Sequence, residues 1–180
     1  MPKRITKVTT KKGDDGSTSI AHGKRVSKSS SIVDSIGEID ELNSWIGLLS
    51  SIKELDATKE FLLEVQNTLF DIGGILATSS KEPLINKKLE KMESNISEYN
   101  KQLPHLDNFV LPSGSRESSI VHITRSVCRR AERSLVRAGE DNFIEKSCVI
   151  YLNRLSDFLF ILARKTNLDL KIDEILWKQE

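Results

Sequence analysis

From about residue 32 onward, apolar residues return at the spacing of α-helices. Over Ile32 to Lys53, the residues Ile36, Ile39, Leu42, Ile46 and Leu49 fall on one stripe, as a period of 3.6 requires. A second stripe, Phe61, Leu62, Val65, Leu69, Ile72 and Leu76, covers Ala57 to Thr78, and Pro83 stands in the break that follows. The stretch from Lys87 to Gln102 is more polar and predicts a third helix. Ser115 to Arg137 predicts a fourth, with Ser115 as N-cap and Gly139 at the stop. Asn142 to Asn167 predicts a fifth. Its seam of Cys148, Leu152, Leu155, Leu159 and Leu162 is widened by Tyr151, Phe158, Phe160 and Ile161, and so broad an apolar face marks a central helix. The expected fold is therefore all-α, a five-helix antiparallel bundle.

Two segments lack this periodicity. Residues 1–30 are polar and rich in Gly and Ser, and Leu103 to Ser115 is a loop with Pro104, Pro112 and the apolar run Phe109, Val110, Leu111. The reading is one domain over residues 1–180: an N-terminal segment 1–30, a bundle over about 32–167 and a tail 168–180.

Bulk composition narrows the function classes. The 180 residues are 29% charged with a formal net charge of +1, so the whole molecule is no attractor of nucleic acid. An anion site must come from local clustering. Cys128 and Cys148 form no CxxC pair and read as small buried hydrophobes of a reducing compartment. The N-terminus has no hydrophobic signal region, and the longest apolar run, Phe158 to Ala163, is too short to span a bilayer. A cytoplasmic protein with no membrane partner is expected.

The clustering is in the fourth helix. Arg125, Arg129, Arg133 and Arg137 recur every four residues with Arg130 beside them, a spacing that stacks them along one face. Such like-charge neighbours repel by about 0.2–0.5 kcal/mol per pair. Either solvent screens a plain surface, or an anion offsets the repulsion. Arginine throughout suits phosphate, whose oxygens match the guanidinium fork. Asn153 and Asp157 lie one turn apart within the apolar fifth helix and need partners there, either a structural arginine or a ligand. Asp40 and Asn43 flank the stripe of the first helix. In Thr10-Lys11-Lys12-Gly13-Asp14-Asp15-Gly16-Ser17-Thr18-Ser19, glycines, lysines and hydroxyls can cradle phosphate, or the Asp-Gly pair can simply turn a hairpin. The three histidines, His22, His105 and His122, have no metal-ligand spacing, and no metal site is expected.

Together these segments resemble the PduO-type ATP:cob(I)alamin adenosyltransferases. The likeness runs through TKKGDDGSTS (10–19), Lys28, GEIDELNSWIG (37–47), QNTLFDIG (66–73), FVLPSGS (109–115), HITRSVCRRAER (122–133), YLNRLSD (151–157) and ILW (175–177). It implies transfer of the 5′-deoxyadenosyl group from ATP to the cobalt of reduced cobalamin with release of triphosphate. It also implies a homotrimer with active sites between subunits, Mg²⁺ on the nucleotide, and a cobalamin reductase supplying cobalt(I). By the resemblance Thr10, Lys11, Lys12, Gly13, Thr18, Ser19 and Lys28 wrap ATP, and Arg129, Arg130, Glu132, Arg133 and Asn153 hold it from the helices. Arg125 pairs with Asp40 on the corrinoid side, and Phe109 lies under the corrin ring, keeping the lower nitrogen base off cobalt. Departures stand at Ser113 (for glycine), Ile32 (for arginine), and Thr9 and Ile36 (for tyrosine). The competing readings are an ATP-binding regulatory protein on the same scaffold and a helical RNA- or partner-binding module. The latter is disfavoured by the near-zero charge and 6% aromatic content.

Overall fold

The computed structural model describes residues 9, 11–79 and 84–179; Thr10, a predicted nucleotide contact, lies outside them. Five helices carry the core: α1 (Ser31–Ser50), α2 (Lys59–Thr78), α3 (Leu84–Asn100), α4 (Arg116–Ala138) and α5 (Lys146–Asp169). The order of packing is α2 on α1, α1 on α4, α4 on α5 and α5 on α3. Most of each predicted stripe is buried, with Ile36, Phe61 and Phe160 half-buried at its edges. Leu42, Ile46, Leu49, Leu62, Leu69 and Ile72 meet Leu152, Leu155, Phe158 and Leu159 in a single cluster. Phe158 closes the bundle, its ring edge-on to Phe61 at 5.0 Å and tilted to Tyr99 at 6.0 Å. That places α5 at the centre.

The element boundaries differ from expectation for local reasons. Helix α3 starts earlier, at Leu84, where it buries Ile85. Helix α5 starts later, at Lys146. Asn142 folds back, donating to Ala138 O at 2.9 Å and Ser31 Oγ at 3.3 Å, and holds the connection outside the helix. Ser115 caps α4 as predicted, accepting from Ser118 N at 3.0 Å.

The N-terminal segment is not irregular throughout. Strands β1 (Ser17–Ser19) and β2 (Arg25–Ser27) pair antiparallel, with Thr18 opposite Val26. The hairpin reverses at Ile20–Lys24, where Ile20 N donates to Lys24 O at 3.0 Å, and not at the Asp-Gly pair. Asp15 instead forms a tight turn before the strand, accepting from Ser17 N at 3.0 Å and Ser17 Oγ at 2.7 Å. Short hydroxyl and Asp side chains favour such local bonds. Among the described residues no helix is long and apolar enough to cross a membrane.

Candidate functional site

Helix α4 does not present its four arginines on one face. Four residues advance an α-helix by slightly more than a turn, so each step drifts about 40° and three steps about 120°. Arg125 consequently sits at the edge of the buried face, its Nε enclosed without a partner among the described residues. Burial is the main effect that lowers its pKa, with repulsion from Arg129 added. Arg129 and Arg133 are exposed, and Arg133 Nη1 donates to Arg129 O at 3.1 Å. Arg137 reaches a cavity of about 450 Å³ shared with Lys28, Ser29, Ser31, Asp34 and Ser134. It is exposed and shares that pocket with Lys28, a predicted ATP residue.

Arg130 differs from its neighbours. Its Nε contacts Glu38 Oε2 at 2.6 Å and its Nη2 bonds Glu41, both on α1. Those bonds, Glu41's first, raise its pKa, and the hydrogen bond from Arg130 lowers that of Glu41. Glu132, one turn on from Cys128, accepts from Asn153 Nδ2 at 2.9 Å and so ties α4 to α5. Asp157 is exposed rather than buried. It pairs with Arg154 at 2.7 Å, and Arg154 also reaches Glu93 at 3.1 Å. The expected buried carboxylate is therefore a surface ion pair, because Asp157 faces away from the seam of Leu152, Leu155 and Leu159.

The N-terminal turn packs tightly on Lys28. Lys28 N donates to Gly16 O at 2.9 Å. A Cβ at Gly13 would lie 3.1 Å from Ser17 O and 3.2 Å from Lys28 Nζ, so a side chain there would press on the turn and on Lys28. Arg25 braces the same turn through Lys12 O at 2.9 Å and the Asp15 carboxylate at 3.0 Å. Lys11 adopts φ 59°, a left-handed conformation that costs a non-glycine residue energy. Lys11, Lys12, Ser19 and Lys28 are exposed; Gly13 and Thr18 are half-buried.

Asp40 and Arg125 do not meet within one chain. On α1, Glu38 and Glu41 turn toward Arg130. Asp40 lines a largely apolar cavity of about 520 Å³ between α1 and α2, with Ile36, Gly37, Phe70 and Gly73. Asp40 has no ion pair among the described residues, and Phe70 is 72% exposed. His122 lies beside Arg125 with both ring nitrogens buried and without a partner among the described residues. Burial first, and then Arg125, holds its pKa down to about 4, against a raising pull from Glu174.

Phe109 is 76% exposed, on a loop that the sequence marks only by its apolar run. The loop is zipped to the C-terminal tail. Trp177 N donates to Phe109 O at 2.7 Å, Leu111 N to Ile175 O at 2.8 Å, and Asn108 Nδ2 to Trp177 O at 2.7 Å. The Phe109 and Trp177 rings lie 6.3 Å apart. Sequence reasoning missed Arg164, Asn167 and Glu174, which anchor this pairing. Their only signal is that Arg164 and Asn167 are polar residues at otherwise apolar helical positions. Ser113, in place of glycine, donates from Oγ to Leu111 O at 3.1 Å, and its backbone carbonyl accepts from Asn167 Nδ2 at 3.1 Å.

Comparison with known proteins agrees along the whole chain. Residues 8–166 match the cobalamin adenosyltransferase family. A cobalamin adenosyltransferase of Cupriavidus metallidurans is 41% identical over 181 residues, covering 100% of this chain and 98% of its own. A corrinoid adenosyltransferase of Bacillus subtilis is 42% identical over 170 residues, covering 89% and 86%. A variant of the PduO-type ATP:corrinoid adenosyltransferase of Lactobacillus reuteri, solved with cobalamin and ATP, superposes with a TM-score of 0.90 at 32% identity, covering 96% and 97%. Another variant of that enzyme, solved with ATP, gives 0.89 at 34%, covering 95% and 100%. With a family match over residues 8–166, relatives above 40% identity over most of their length and the same helical fold, the chain belongs to the PduO-type corrinoid adenosyltransferases.

Proposed function

We propose that this ATP:corrinoid adenosyltransferase divides its two substrates between the two ends of the α4 arginine row. Arg129 and Arg133, with Arg130, Glu132 and Asn153, take the triphosphate; Lys11, Lys12, Gly13, Thr18, Ser19, Lys28 and Thr10 close over the nucleotide. Phe109 and the Arg125–Asp40 pair serve the corrinoid side. The observation that carries this division is the unequal state of the arginines. Arg129 and Arg133 are exposed and free of carboxylates among the described residues, whereas Arg125 is half-buried with Nε unsatisfied. Cobalt(I) supplies the electron pair that forms the Co–C5′ bond, the C5′–O bond breaks, and triphosphate leaves with that bond's electrons. No protein nucleophile is required. The protein contributes placement and cations aimed at the leaving phosphate charge. Mg²⁺, if it enters with the nucleotide, would offset part of the phosphate charge beside Arg129 and Arg133.

We further infer a homotrimer. Asp40 and Arg125 form no ion pair with each other within one chain, which supports a pairing between subunits. The apolar α1/α2 cavity, with exposed Phe70 at its rim, supports such an interface. A reductase delivers cobalt(I), and the enzyme works in the cytoplasm as one domain over residues 1–180. Arg129→Ala tests the division. It should raise the KM for ATP and leave corrinoid binding near wild type, measured by the visible spectrum of adenosylcobalamin and by triphosphate release. Equal defects toward both substrates would sink it.

A further inference from the structure

Phe109 lies largely in water, so core packing does not fix it. What fixes it is a chain of bonds that begins on α5. Arg164 is buried at 4% side-chain exposure and holds Glu174 through two bonds, Nε–Oε1 at 2.8 Å and Nη2–Oε2 at 3.0 Å. The same Nη2 donates to Pro104 O at 2.8 Å, at the start of the Phe109 loop. One turn on, Asn167 binds the end of that loop: Nδ2 to Ser113 O at 3.1 Å, and Oδ1 from Ser115 N at 2.9 Å. The Asn167 carbonyl accepts from Ile172 N at 2.9 Å, at the start of the tail. Tail and loop then pair at Val110 and Leu176.

We propose that the buried Arg164–Glu174 ion pair, with Asn167, is a positioning device that splints the Phe109 loop against the C-terminal tail and so sets the enzyme's use of corrinoid. The inference rests on the reading that Phe109 serves the corrinoid. Helix α5 is the most buried element of the bundle, and a site is held most accurately when its supports stand on such rigid elements. Bidentate Arg–carboxylate geometry fixes direction as well as distance. Loss of Glu174 leaves the Arg164 charge buried without its partner and releases the tail. The loop then keeps its two ends but loses its strand partner, and the Phe109 ring is no longer held to one orientation.

The test uses the full chain carrying Trp45→Phe, which leaves Trp177 as the single tryptophan. Glu174→Ala and the milder Glu174→Gln are made in that background, with Phe109→Ala alongside. The expected result for Glu174→Ala is greater quenching of Trp177 by acrylamide and a KM for cobalt(II) cobalamin, assayed with a chemical reductant, raised about tenfold. The KM for ATP and the far-UV helical signal stay at the parent's level, and Glu174→Gln falls between. Unchanged Trp177 quenching overturns the inference, as does an ATP KM that rises in step with that of corrinoid. Normal corrinoid use by Phe109→Ala removes the reading beneath it, and the fluorescence alone then decides whether the ion pair holds the tail.

Discussion

The amide of Asn167 occupies the space where a side chain at Gly114 would begin. A Cβ at Gly114 would fall 2.6 Å from Asn167 Cγ, and Gly114 has φ +107°, outside the range of L side chains. Gly114→Ala must therefore both strain its backbone and push Asn167 off Ser113 and Ser115. The expected cost is about 2–4 kcal/mol, read as a lower midpoint in urea denaturation. A loss below about 0.5 kcal/mol would mean that the loop shifts without resistance.

Arg129→Ala and Arg130→Ala should differ. Arg129 is free to meet phosphate, and charge-assisted bonds contribute about 1.5–3 kcal/mol each. Its removal should raise the KM for ATP by about 10- to 100-fold. Arg130 must first leave Glu38 and Glu41, so part of what it gains from phosphate is already spent. Its removal should cost about tenfold or less. Steady-state kinetics at saturating corrinoid makes the comparison, and a larger effect at Arg130 would contradict it.

Below neutrality His122 makes the fold sensitive to acid. Its pKa is about 4 in the folded chain against 6.5 when exposed. Between those values the unfolded chain binds the extra proton, so stability is full above about pH 6.5 and falls as the pH drops toward 4. The full loss is about 3 kcal/mol. Urea melts from pH 4.5 to 7.5 should show that slope in the parent, and His122→Gln should flatten it. A parallel slope in the variant would assign the acid sensitivity elsewhere.

Asp40→Arg should weaken assembly. Among the described residues Asp40 has no ion pair on the α1/α2 cavity and Arg125 Nε has no hydrogen-bond partner, so an arginine at position 40 would bring two like charges together between subunits. Sedimentation should show a trimer for the parent and a shift toward monomer for Asp40→Arg. Pairing Asp40→Arg with Arg125→Asp should recover part of the trimer. A parent that sediments as a monomer would contradict the intersubunit site.

Helices α1, α2, α4 and α5 were legible because their burial is periodic: a position such as Leu42 or Leu155 declares its side of the helix from its neighbours alone. The family motifs were legible too, since RRAER and NRLSD are contiguous. Even the drift of the arginine row follows from helical geometry once each step of four residues is counted as more than a turn. Tertiary structure decided which arginine is free. Arg130 is held by Glu38 and Glu41 only because α1 packs on α4, and Arg125 is shielded only because the bundle closes over its Nε. It also decided how Phe109 is held. Its loop depends on Asn167, 52 residues beyond Ser115, on Arg164, 60 beyond Pro104, and on Trp177, 69 beyond Asn108. No local period encodes contacts at such separations. They exist because the packed helix α5 brings the loop and the tail to the same end of the bundle, where unpaired backbone groups bond to each other.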